Sequence, residues 1–225
     1  MLLQFNTNLL FPSAKPESRR YRIHFCKLLA AANDLITTAK QSTILPNPDD
    51  SPDKRCLIEA ENLYYFRLAC SHIHEALAAF KNCYESGMLE AYRQSMRKEG
   101  EEALKRLIHF INDPSKKDIR SYLECIRNYT FHYKELDEIQ EGYLVLGLQA
   151  HETRYIIMDQ AISAIVNKKV SSPFSINKAD TAKNITLNIA KIRAALLTFV
   201  DHLMAVLYET VPNAFKRENE WPPIN

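Results

Sequence analysis

The scarcity of glycine is the feature that most constrains this chain. The sequence has 4 glycines in 225 residues, whereas an average protein contains about 7% glycine. Hairpin turns and bulges recruit glycine because it adopts a positive φ without a Cβ clash. The sequence also has no GxGxxG or GxxxxGK loop, which would bind phosphate through backbone N–H groups. Glycine usage therefore predicts an all-α fold of long helices, with few hairpins.

Hydrophobic periodicity indicates six helices. We predict them over residues 16–40, 53–86, 89–111, 116–132, 143–166 and 178–209. Gly87 and Pro114 are the expected stop signals, and Ser115 is the expected N-cap of the fourth helix. Several of these helices exceed 20 residues, as is typical of helical bundles. We expect an antiparallel bundle of about six helices that forms a single domain over residues 1–225.

The remaining segments are expected to connect or flank these helices. We predict an N-terminal arm over residues 1–17, a proline-rich loop over 42–53, a loop over 167–177 and a C-terminal tail over 211–225. The periodic residues also predict which side of each long helix faces the core. On the first helix the periodic positions include Ile23, Cys26, Leu28, Ala32 and Leu35. On the second helix the expected core side includes Leu57, Tyr64, Leu68, Ser71 and Phe80, and on the last it includes Ile189, Ile192, Leu196, Phe199 and Leu203.

Charge and cysteine usage narrow the setting. The net charge is +2 and the pI is near 8.2, below the pI of about 9 expected of a dedicated duplex-DNA binder. This charge does not exclude a small or transient contact with RNA. The five cysteines are odd in number and form no CxxC pair, so we expect buried thiols in a reducing cytosol. Because the sequence shows neither a signal peptide nor a long apolar run, we expect a cytoplasmic protein with no membrane partner.

Several kinds of catalytic site are absent from the sequence, and we expect no metal and no cofactor. A ferritin-like di-iron site needs Glu-x-x-His on bundle helices, and none of the seven histidines has a glutamate three residues before it. HExxH and GxSxG are also absent. His72 and His74 would lie about 200° apart around a helix, so they cannot share a metal. We expect one of them at the surface and the other half-buried.

The segment Cys125–Tyr133 carries the one motif that points to chemistry. It contains Arg127 and His132 in the pattern Arg-x4-His, and Asn128 follows the arginine directly. Other arginine–histidine pairs in the chain have similar spacings but lack this asparagine. The pattern resembles the signature of the HEPN superfamily, all-α domains whose active members are metal-independent ribonucleases. The helix over residues 64–77 also looks like the one that packs beside the motif in such domains, so the resemblance covers residues 53–134.

The residue types of this motif suit RNA cleavage without a metal. That reaction needs a base for the ribose 2′-OH, an acid for the leaving 5′-oxygen and a cation for the charge that builds on phosphorus. His132 can transfer protons near neutral pH, and Arg127 can grip phosphate oxygens. On a helix His132 would lie about 40° from Asn128 and about 140° from Arg127. Asn128 can therefore orient His132, whereas Arg127 joins the site only if the helix breaks or a second subunit completes it.

The resemblance implies further site residues and a biological setting. Glu75 would stand for the acidic residue that many members carry on the neighbouring helix. Apart from the resemblance, Arg120 lies seven residues before Arg127 on the same helix face, and this spacing predicts that it extends a phosphate-binding track. The implied protein is a cytoplasmic homodimeric endoribonuclease that leaves a 2′,3′-cyclic phosphate. It would act in toxin–antitoxin or phage defence, with an antitoxin or a nucleotidyltransferase as partner.

Three alternatives stay open at this point. The chain could be a HEPN-like bundle without catalysis that serves as a dimerisation or partner-binding module. It could bind a nucleotide in the same cleft. Arg127 and His132 could also be a helix-end ion pair and a partner of the helix dipole.

Overall fold

The structure of the chain is a computed structural model that describes residues 3–11, 16–41, 47–131 and 178–217. These residues are predominantly helical, so the predicted all-α class is confirmed. The described α-helices are α1 (Thr7–Leu10), α2 (Pro16–Gln41), α3 (Pro52–Glu85), α4 (Glu90–Arg93), α5 (Lys98–Asn112), α6 (Lys117–Phe131) and α7 (Lys178–Thr210). Two 3-10 turns, Pro114–Lys116 and Pro212–Ala214, and two short strands, β1 (Leu3–Phe5) and β2 (Phe215–Arg217), complete them.

The long helices α2, α3 and α7 confirm three of the six predicted helices to within a residue or two at each end. Proline opens both α2 and α3, where its missing N–H costs no helical hydrogen bond. The predicted helix over residues 143–166 and the loop over 167–177 lie outside the described residues. The antiparallel arrangement of about six helices and the single domain stay predictions.

Gly87 lies two residues after the last residue of α3 and stops the helix, as predicted. Its φ is +77°, a left-handed conformation that glycine adopts without steric cost. The backbone N–H of Gly87 donates to the carbonyl of Tyr84 at 3.1 Å. This closing turn lets the chain leave the helix and enter α4.

The prediction of one helix over residues 89–111 is wrong, because the chain breaks between α4 and α5. The N–H groups of Ser95 and Met96 donate to carbonyls three residues earlier, Tyr92 and Arg93, which tightens the backbone into turns. A continuous helix would also place Arg93 and Arg97, four residues apart, side by side on one face, where their like charges repel. Arg97 instead lies 3.7 Å from Glu209 of α7.

The prediction that Ser115 caps the next helix is also wrong. Asp113 caps the 3-10 turn before α6 instead: its carboxylate accepts hydrogen bonds from the N–H and from the hydroxyl of Ser115, at 2.9 and 2.7 Å. A 3-10 turn follows, and α6 begins at Lys117. Each oxygen of the Asp113 carboxylate thus accepts one of these two hydrogen bonds.

The described chain divides into two compact units. Unit 1 comprises residues 1–32, 76–111 and 194–225, and unit 2 comprises residues 33–75 and 112–193. The three long helices contribute residues to both units.

Unit 1 has an aromatic core. The rings of Phe80 and Phe199 meet edge to face at 5.2 Å. Segments of the predicted arm and tail pair with each other in this unit, because β1 and β2 form an antiparallel ladder that aligns Phe5 with Phe215. The ring of Phe5 also lies 5.7 Å from that of Phe25, which is fully buried. Phe5 thereby connects β1 to α2, and its ring also lies 6.2 Å from that of Phe215.

Unit 2 is built around aliphatic side chains and contains the predicted motif. Leu35 of α2, Ile73 of α3 and Leu123 of α6 are fully buried. Ile119, Tyr122 and Ile126 of α6 are also buried, and this i, i+3, i+4, i+7 spacing defines one apolar stripe. The stripe fixes the rotation of α6 and leaves Arg120, Glu124 and Arg127 away from its buried side.

The predicted core sides are confirmed for α7, and for α2 and α3 they are correct only in part. Ile23 and Leu57 are 46% and 56% exposed, and Tyr64 is 44% exposed. The buried side of α2 carries the predicted Leu28 and Leu35 together with Phe25, and that of α3 carries the predicted Ser71 and Phe80 together with Cys70, Ile73 and Cys83. Both helices have apolar residues on more than one side, so periodicity alone does not choose between two stripes. In α7 the predicted stripe is buried from Ile189 to Leu207.

The described cysteines and helices can be compared with the predictions of buried thiols and of no membrane span. Cys70 and Cys83 are buried, as expected, and burial raises the pKa of both thiols. Cys26 is exposed, so the expectation of buried thiols is wrong at that position. Within the described ranges, none of the helices combines the length and the apolar character needed to cross a membrane.

Candidate functional site

An ion pair between α3 and α6 forms the centre of the candidate site. Nε of Arg127 donates to Oε1 of Glu75 at 2.7 Å. Both residues belong to unit 2. The short distance and the charged partners make this a charge-assisted hydrogen bond. The structure therefore brings together two of the residues that the sequence analysis selected.

Asn128 holds the same guanidinium from a second side. Nη1 of Arg127 donates to Oδ1 of Asn128 at 3.3 Å. The side chain of Arg127 is 31% exposed and that of Glu75 is 44% exposed. The arginine is therefore oriented by two neighbours and can still be reached from solvent. A guanidinium in this condition can bind a phosphate or a carboxylate.

His132 lies outside the described residues, so its predicted place beside Asn128 stays a prediction. The backbone leading to it is described. Helix α6 runs without interruption from Lys117 to Phe131, the residue before His132. The break that would bring Arg127 and His132 together within one chain therefore does not occur between Arg127 and Phe131.

Arg120 has a partner at the start of α6. Its Nη1 donates to the backbone carbonyl of Asp113 at 2.9 Å. Because Asp113 lies in the turn before α6, this hydrogen bond ties the helix to its connection with α5. This hydrogen bond gives Arg120 a structural role. The contribution of Arg120 to a phosphate-binding track stays a prediction. Arg120 and Arg127 are separated by seven residues, or about 10 Å along a helix.

His74 belongs to the same cluster, and the sequence analysis did not select it as a site residue. It precedes Glu75 on α3 and is half-buried. Burial lowers the pKa of His74, the charges of Glu75 and Glu124 raise it, and the charge of Arg127 lowers it. Its position directly before the acidic candidate Glu75 was the available signal. The cluster thus combines one imidazole, two carboxylates, one guanidinium and one amide.

His72 has a different partner. Its Nδ1 lies 3.3 Å from Oδ2 of Asp34 on α2, and its side chain is 18% exposed. The two histidines therefore have separate environments, but the expectation that one of them lies at the surface is wrong, since both are half-buried. Among the described residues, no three histidine, cysteine or acidic side chains are grouped so that they could hold a metal ion.

The geometry supports one kind of chemistry without identifying a family. An oriented, partly exposed arginine beside an imidazole and two carboxylates can bind an anion and exchange protons with it. Comparison of the chain with protein-family models, with curated proteins and with solved structures finds no match.

Proposed function

We propose that the protein is a HEPN-like, metal-independent endoribonuclease. The supporting observation is the environment of Arg127, which Glu75 and Asn128 orient while its side chain stays partly exposed. In this proposal the fold is an antiparallel HEPN-like bundle of about six helices. The protein acts in the cytoplasm.

The proposed reaction uses the side chains of the motif. Arg127 binds the oxygens of the scissile phosphate and neutralises the charge that develops on phosphorus. His132 removes the proton of the ribose 2′-OH, whose oxygen then attacks phosphorus. The bond from phosphorus to the 5′-oxygen breaks, the leaving oxygen takes a proton from water, and His132 later returns its proton to the solvent. The products are a 2′,3′-cyclic phosphate and a 5′-hydroxyl.

A homodimer supplies both groups in this proposal. Helix α6 continues past Arg127 as far as Phe131, and two residues five positions apart on a helix point in directions about 140° apart. His132 of one subunit would therefore serve the phosphate held by Arg127 of the other. Subunits that carry R127A and H132A separately should then restore part of the activity when they are mixed.

The direct test incubates the purified protein with structured RNAs in EDTA. We expect cleavage by the wild type and a loss of at least 100-fold for both R127A and H132A. The matched control is the double variant R106A/H109A, because both residues are exposed on α5, in unit 1. We expect it to retain wild-type activity. Equal cleavage by all the variants, or none by concentrated wild type, would contradict the nuclease.

The cellular setting is tested separately. As a toxin or a defence nuclease, the protein should arrest growth when it is expressed alone, and H132A should not. A cognate antitoxin or nucleotidyltransferase would relieve the arrest. Growth arrest by H132A equal to that of the wild type would contradict this setting.

A second candidate is a partner-binding module without catalysis. It is favoured by the ion pair itself, because Nε of Arg127 already donates to Glu75. Joining α3 to α6 is a sufficient role for this pair, without any RNA. This candidate predicts a stable dimer or complex with no cleavage of any RNA. In that case R127A would lower the free energy of unfolding and change nothing else.

A further inference from the structure

In the first half of α2 a run of basic residues follows Glu17 and contains no acidic residue. From Ser18 to Asn33 the sequence contains three arginines, one lysine and one histidine, and no aspartate or glutamate. Helical residues form ion pairs with partners three or four positions away. For Arg19 and Lys27 all of those positions lack a carboxylate, so neither can be neutralised within α2.

Three of these cations lie on the exposed side of α2. Arg19, Arg20 and Lys27 are all exposed, and they fall within an arc of about 100° around the helix axis. We call these three residues the basic face. Phe25 and Leu28 are fully buried on the other side of the helix. Burial in unit 1 therefore fixes the rotation of α2 and turns the basic face to solvent.

Several other exposed cations of unit 1 have acidic partners. Lys81, Lys105 and Arg106 lie 3.6, 2.9 and 3.7 Å from glutamates one helical turn away. The basic face differs from them, since no described acidic side chain forms an ion pair with it. Nε of Arg20 instead donates to Nε2 of His24 at 3.3 Å. A neutral imidazole orients the guanidinium without cancelling its charge.

The protonation of His24 reports the electrostatic potential at this part of the helix. Burial lowers the pKa of His24 most, and the charges of Arg20 and Lys27 lower it further. No carboxylate raises it. The surroundings of His24 are therefore electropositive, as a surface that attracts an anionic partner should be.

We propose that the basic face of α2 binds the phosphate backbone of RNA. The choice of RNA as the polyanion rests on the proposed function. A membrane fits the surface less well, because an interfacial helix inserts its apolar side into lipid and Phe25 and Leu28 are already buried in protein. The binding needs no base contacts, so it adds affinity and little sequence preference.

The test measures the salt dependence of RNA binding by fluorescence anisotropy. All proteins carry H132A, and EDTA is present, so cleavage does not consume the labelled single-stranded RNA. Each phosphate contact with a single strand contributes about 0.7 to the slope of log K against log salt. The variant R19A/R20A/K27A should lower that slope by about 2 and weaken binding about 100-fold at 0.1 M salt. The charge-conserving variant R19K/R20K/K27R should keep the slope.

The matched control removes the same number of charges from unit 1 at neutralised positions. K81A/K105A/R106A should bind RNA with the slope of the parent protein. An equal loss in both triple variants would overturn the proposal, because net charge and not the basic face would then govern binding. An unchanged slope in R19A/R20A/K27A would also overturn it. So would loss of binding to phosphatidylserine vesicles in that variant while RNA binding stays unchanged.

Failure of this inference can be distinguished from failure of the proposed nuclease function. Salt-dependent RNA binding that requires the basic face, with no cleavage by a protein that has His132, contradicts the nuclease alone. Cleavage by a protein whose RNA binding ignores the basic face contradicts this inference alone.

Discussion

Oε1 of Glu75 accepts a hydrogen bond from Nε of Arg127 at 2.7 Å, and this contact joins α3 to the last turns of α6. It fixes the direction of the guanidinium on which the proposed function depends. Both side chains are about a third or more exposed, so water screens their attraction. The pair should therefore orient Arg127 more than it stabilises the fold.

A double-mutant cycle measures the energy of this pair. We expect E75Q, R127Q and the double variant to give a coupling free energy of about 0.2–1 kcal/mol in chemical denaturation. Under the proposed function E75Q should lower RNA cleavage modestly, whereas R127Q should abolish it. A coupling energy well above this range would mean that the pair is mainly structural, as in the partner-binding module.

The turn at Gly87 predicts how the fold responds to a change of backbone preference. Its φ is +77°, and a Cβ added there would meet no atom within 4 Å. Only the backbone conformation therefore opposes a side chain. G87A should lower the free energy of unfolding by about 1–2 kcal/mol. G87N should lower it less, since asparagine tolerates the left-handed region. Equal losses would contradict this explanation.

The close approach of α5 to α7 supplies a different glycine prediction. A Cβ added at Gly100 would lie 2.6 Å from Cβ of His202, so G100A must push the helices apart. Overpacking of this kind costs about 1–3 kcal/mol, and the better helix propensity of alanine returns up to about 1 kcal/mol. We expect a net loss of stability in chemical denaturation. The neighbouring exposed position gives the control E99A, which should be near neutral, and a stabilising G100A would contradict the packing.

The sequence predicts helices in this chain better than it predicts their orientation. Apolar spacing located α2, α3 and α7, and the single apolar stripe of α7 was predicted correctly. On α3 the choice between the side of Leu57 and the side of Ile73 depends on tertiary packing, which periodicity does not contain. The break after α4 was missed for a related reason. The mostly polar residues from Arg93 to Lys98 are compatible with a helix. The break depends on the contacts that their side chains make in the folded chain, which the sequence pattern does not contain.

The candidate site shows the same limit. The spacing of Arg127 and Asn128 follows from the sequence, and the family resemblance suggested Glu75, which the structure places against Arg127. The part of His74 could not be foreseen, because its surroundings depend on the rotation of α3 against α6. Arg120 was selected from its spacing alone, and its hydrogen bond to the carbonyl of Asp113 depends on a turn that the sequence did not predict.

The half-buried His74 predicts that stability depends on pH. Burial lowers its pKa in the folded state below the ordinary value of 6.5, so the unfolded chain binds more protons between the lowered pKa and 6.5. Stability from this group is therefore present above 6.5 and is lost as the pH falls toward the folded pKa. His24, whose pKa is also lowered, acts in the same direction.

Replacing His74 isolates its share of this effect. The difference in unfolding free energy between pH 8 and pH 5.5 should be smaller in H74Q than in the wild type, because glutamine does not titrate. The comparison at pH 8, where both forms are neutral, removes the cost of the altered side chain itself. Urea denaturation at both pH values supplies the measurement. If H74Q loses as much stability on acidification as the wild type, then the charges of Glu75 and Glu124 outweigh burial, and His74 is not a group that the fold keeps neutral.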